Sequence, residues 1–77
     1  MSGEEQPPGT VECYSGAEYA EEPRKFYWDG SWRRVGRIAA RRRIPEGKQF
    51  IVEDERGESF VLTYETGPDR WIVRPAP

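Results

Sequence analysis

Apolar residues stand two apart along most of this chain, and turn-forming residues interrupt the alternation at short intervals. That pattern limits the fold more than any other feature. Successive side chains of a β-strand point to opposite faces, whereas an amphipathic helix needs a period of 3.6. The segment "SFVLTYE" is the cleanest case, with Phe60, Leu62 and Tyr64 on one face. Phe50 and Val52 repeat the spacing in "QFIVEDE", Trp71 and Val73 in "RWIVRP", and Phe26 and Trp28 in "KFYW". Between these runs lie Asp29–Gly30, which is a strong hairpin signal, then "IPEGK", "ERGE" and "TGPD". Turns spaced by about 8–12 residues mark a small barrel or sandwich.

The sequence therefore predicts an all-β fold, a four- to five-stranded antiparallel meander forming a small barrel or half-barrel. Residues 11–77 make the single β domain, and Val11–Tyr14 supply the fifth strand where there is one. Residues 1–10, with Pro7, Pro8 and two glutamates, read as a disordered acidic tail. "SGAEYAEEP" reads as a loop or a single helical turn ended by Pro23.

The stretch Ser31–Arg43 is harder, since six of its thirteen residues are arginine. As a strand it has a parity problem: Val35 and Ile38 are three apart and cannot share a face of a regular strand. Glycine inside a strand often marks a bulge. One extra residue near Gly36 lets Val35, Ile38 and Ala40 all point inward. As a helix, Ser31 would be the N-cap and Trp32, Val35 and Ala39 a stripe, with Gly36 costing about 1 kcal/mol. The Asp29–Gly30 turn and the strand that follows favour the extended form.

Charge is segregated along the chain. Residues 1–23 hold six carboxylates and no basic residue, residues 24–43 hold eight basic residues against Asp29 alone, and the net charge is −2. Three partners for the arginines follow. The first is a nucleic-acid backbone, each neutralised phosphate contributing through counterion release. The second is an acidic protein surface. The third is the protein's own Glu53, Asp54, Glu55, Glu58 and Glu65, since opposite charges facing across strands are worth about 0.2–1 kcal/mol per pair, or the Glu-rich N-terminal segment folded over the basic face.

On the bulged strand the candidate binding residues are Arg34, Arg37, Arg41 and Arg43 on the outer face, with Trp32 or Tyr27 stacking a base. Arg33 and Arg42 share parity with the core but lie near the strand ends, where they reach solvent. A rival module would use an exposed sheet edge for strand addition.

The remaining chemistry is bland. The chain has no histidine and one cysteine, Cys13. It therefore lacks an intrachain disulfide, a zinc ligand set and a His-activated nucleophile. No catalytic residue, metal site or cofactor is expected. The "EDE" at 53–55 reads as a solvated turn shoulder, and Cys13 as packing. No apolar run approaches the roughly 20 residues that span a bilayer. The polar N-terminus has no secretory-signal features, which with the lone thiol points to the cytoplasm.

"CYSGAEYAEEPRKFYWDG", "WRRVGRI" and "DERGESFVLTY" with "DRWIV" together resemble a family of small uncharacterised bacterial β domains. Its pattern falls on Tyr14, Ser15, Gly16, Pro23, Phe26, Trp28, Gly30, Val35, Ile38, Asp54, Gly57, Phe60, Leu62, Tyr64, Asp69 and Trp71. The family often carries an aromatic near the position of Arg42, where this chain has arginine. The second half is also similar to the C-terminal segment of proteins related to Y-family DNA polymerases of mutagenic repair. The resemblance implies a β-rich accessory or interaction module near DNA-repair machinery, with no catalytic residues to carry over.

Overall fold

The structure is a computed structural model that describes residues 11–13 and 22–77. The tail at 1–10 and the loop or helical turn from Ser15 fall largely outside the described residues. Six antiparallel strands follow one another: β1 (Val11–Cys13), β2 (Pro23–Trp28), β3 (Ser31–Ile44), β4 (Gly47–Asp54), β5 (Ser59–Glu65) and β6 (Arg70–Pro75). Each pairs with its neighbours in sequence, so the sheet is a plain meander. It curls into an open half-barrel. β2 comes near β6 across the mouth, yet no ladder joins them. The strand count is one above the sequence expectation, and the helical alternative for Ser31–Ile44 is excluded.

The turns follow from local chemistry. Asp29 and Gly30 both take positive φ, 53° and 84°. That is the left-handed pair a two-residue hairpin with the right twist requires. Gly47 answers a different need. A Cβ there would sit 2.1 Å from the Tyr64 carbonyl oxygen, so β4 and β5 can close on each other only where that atom is missing.

The inner face holds the core. Phe26, Phe50, Val52, Phe60, Leu62 and Val73 are buried, with Val11, Trp28, Val35, Ile38 and Trp71 packed against them. Phe26 of β2 meets Phe60 of β5 at 4.8 Å between ring centroids, and this contact draws the first strands over the later ones. Trp71 closes the other end against Tyr64 at 5.2 Å and Phe50 at 6.0 Å. A single layer of sheet thus gains its core by folding one face on itself, with the large rings of Phe26, Phe50 and Phe60 buried in it.

β3 carries two irregularities rather than one. Its register against β4 shifts between Val35 and Arg37, at Gly36, and again between Ile38 and Ala40, at Ala39. The bulge at Gly36 turns Val35 and Ile38 inward, as their spacing demands. The second bulge reverses the parity of everything after it. Ala40 is therefore not an inward residue. It is exposed and lies opposite Ile51 on the outer face.

Candidate nucleic-acid interface

The two bulges decide which arginines stand together. Residues directly opposite in a ladder share a face. Arg34 lies opposite Lys25, and Trp32 opposite Tyr27. Arg37 lies opposite Glu53, Ala40 opposite Ile51, and Arg42 opposite Gln49. All of these belong to the outer face, since their neighbours Phe26, Val52 and Phe50 point into the core. The outer row of β3 therefore reads Trp32, Arg34, Arg37, Ala40, Arg42.

Arg41 and Arg43 go the other way. Arg41 is opposite the core residue Phe50, and Arg43 is opposite Lys48, which itself faces the buried Tyr64. The expectation that Arg41 and Arg43 join the outer row is corrected, and so is the inward parity of Arg42. One residue of slip at Ala39 exchanges the faces, because side-chain direction alternates with a period of two. Arg41 and Arg43 sit at the open end of the inner face, where Arg41, Arg42, Arg43, Lys48, Gln49 and Phe50 line a shallow depression.

Partners divide the arginines again. Arg37 bonds Glu53 at 3.0 Å, with the Arg37 side chain exposed and that of Glu53 half-buried. Arg41 pairs with Glu22. Arg34, Arg42 and Arg43 make no ion pair or side-chain hydrogen bond with another described residue. Internal pairing thus takes about half of the cluster, and three guanidiniums remain open. Trp32 is 38% accessible, the exposed large hydrophobic residue among the described residues. It rests edge-on against Tyr27 at 5.6 Å.

Arg33, set aside from the sequence, has the most constrained guanidinium of the group. It lies opposite Phe26 on the inner face. Its Nη1 donates to Asp54 at 3.2 Å and to Glu58 at 2.7 Å, and its guanidinium carbon is 5.3 Å from the centre of the Phe60 ring. Hydrogen bonding to Glu58 holds its pKa above the ordinary value, against the opposing effect of burial.

Asp54 is its anchor, only 4% accessible and the buried charged residue among those described. It is not a solvated turn shoulder. Its Oδ1 accepts from the backbone N–H of Arg56 at 2.9 Å and of Glu58 at 2.8 Å. Burial pushes its carboxyl up, but these two N–H groups and the Arg33 guanidinium outweigh burial and hold it below its usual value. The signal was present in the sequence. Asp54 shares parity with Phe50 and Val52, so the same alternation that found the core also points this carboxylate inward.

Cys13 is half-buried, and no cluster of three or more His, Cys, Asp or Glu that could hold a metal occurs among the described residues. No described helix is long and apolar enough to cross a membrane. No family model, no curated protein and no solved structure matches the chain.

Proposed function

We propose that this domain is a non-enzymatic binding module that holds a single-stranded nucleic acid along the outer row of β3. The observation that carries the reading is Trp32. It is exposed, braced by Tyr27, and lies in one row with the unpaired Arg34 and Arg42. Arg37 stands between them with its own side chain exposed, and it exchanges Glu53 for a phosphate at small cost, because a surface ion pair is worth about 0–1 kcal/mol. A π-face beside spaced guanidiniums is what a base and its flanking phosphates require, and stacking on an aromatic contributes about 1–3 kcal/mol per base.

The experiment is fluorescence anisotropy of a labelled oligo(dT) titrated with the full chain between 50 and 200 mM salt. Three arginine–phosphate contacts on a single strand give a slope of about −2 in log K against log salt. Trp32→Ala weakens binding by about tenfold or more. Absence of binding at the lowest salt, or affinity that ignores salt, overturns the reading.

A further inference from the structure

β2 leaves β3 early. Their ladder runs only from Ser31 to Arg34, while β3 continues to Ile44 with β4 on one side. Among the described residues no strand pairs with the other side of Val35–Ile44. From Ala40 to Ile44 the register with β4 is regular, five residues without a shift. At about 3.3 Å per residue that is an open edge of roughly 16 Å. Alternate residues of a strand turn their N–H and C=O toward each side, and on this side those of Ala40–Ile44 meet no strand among the described residues.

The charges around the edge select what can add to it. Arg41 and Arg43 flank it on the inner face and Arg42 on the outer face. A second copy of this chain pairing edge to edge would set arginine against arginine, which is unfavourable. A carboxylate already reaches this place, since Glu22 pairs with Arg41. Where β2 and β3 part, a cleft of about 230 Å³ lined by Arg24, Lys25, Arg34 and Arg37 among others extends the basic surface.

We propose that the Ala40–Ile44 edge of β3 is a strand-addition site for an extended acidic peptide, whose carboxylates are consecutive rather than alternating. The reason is geometric. An added strand places neighbouring residues on opposite faces of the sheet. Here both faces carry arginine at successive positions, so three carboxylates in a row each find one, the peptide's own taking the place of Glu22 on Arg41. Main-chain hydrogen bonds supply affinity in such a mode and side chains supply selectivity. This site shares only Arg42 with the outer row proposed for nucleic acid, and the two stand or fall separately.

The test uses the isotopically labelled full chain and a blocked ten-residue peptide with three central glutamates between valine and threonine residues. A second peptide has the same sequence with alternate central amides N-methylated, so that its charge is intact but its strand edge is not. Expected are slowed amide exchange at alternate residues of Ala40–Ile44, at least tenfold weaker binding of the methylated peptide, and a loss of about tenfold for Arg43→Glu with the fold unchanged by circular dichroism and oligo(dT) binding retained. Equal affinity for both peptides would reduce the site to charge attraction and overturn the proposal. So would shifts confined to Tyr27, Trp32 and Arg34, displacement of the peptide by oligo(dT) at equal strength, or no binding at low salt.

Discussion

Replacing Asp54 by alanine removes the acceptor of two backbone N–H groups and the buried partner of Arg33 at one stroke. Breaking a buried pair by deleting one member costs about 3–5 kcal/mol, because the other charge is left uncompensated. Arg33 keeps Glu58, so the lower end, about 3 kcal/mol, applies. A domain of 77 residues has a total stability of about 4–12 kcal/mol at 0.05–0.15 kcal/mol per residue, and Asp54→Ala therefore removes a quarter or more of it. At about 4–8 °C per kcal/mol for this size, the midpoint falls by at least about 12 °C. Asp54→Asn keeps an oxygen for both N–H groups but loses the charge facing Arg33, and costs about half as much. Urea and thermal unfolding followed by tryptophan fluorescence measure both.

The pH dependence supplies a second readout. Burial raises the Asp54 carboxyl and hydrogen bonding more than reverses this, so its folded pKa lies below the ordinary 3.8. The unfolded chain then binds the proton more readily than the native one. The contribution of Asp54 is complete above that ordinary value and is lost as pH falls from it through the folded pKa. The difference in stability between the wild type and Asp54→Asn narrows over that acid range. A loss below about 1 kcal/mol for Asp54→Ala, or a difference that stays constant down to pH 2, would refute the assignment of Asp54 as a buried, hydrogen-bonded carboxylate.

Other perturbations test other parts of the structure. Gly47→Ala brings a Cβ to 2.1 Å from the Tyr64 carbonyl oxygen, backbone that cannot swing aside, and destabilises by about 2–3 kcal/mol in urea unfolding. Phe26→Ala removes the ring that meets Phe60 and costs about 3–5 kcal/mol, with loss of near-ultraviolet dichroism before far-ultraviolet. Arg37→Ala breaks only a surface pair with the half-buried Glu53 and shifts stability by about 1 kcal/mol or less, while lowering the salt slope of oligonucleotide binding by about 0.7.

Much of the fold was legible because alternation is a local property. Phe60, Leu62 and Tyr64 declare their shared face within five residues, and Asp29–Gly30 declares its hairpin in two. The inward turn of Val35 and Ile38 was also legible, since their odd spacing next to Gly36 has a bulge as its natural solution. Asp54 could have been found by extending the parity of Phe50 and Val52 two residues further. The bulge at Ala39 had no such mark. Alanine carries no positive-φ preference and breaks no apolar pattern, and the three arginines after it fit either face.

The sequence by itself therefore determined that this chain forms a curled antiparallel meander with aromatics inside and a basic central strand. Tertiary structure alone decided where the charge beyond Ala39 goes, with Arg42 outward and Arg41 and Arg43 inward, and that Arg33 is clasped by Asp54 and Glu58. The physical reason is that strand parity is set by local spacing only while the ladder is regular. A bulge is a bargain between two strands distant in sequence, and each one changes the face of every residue that follows.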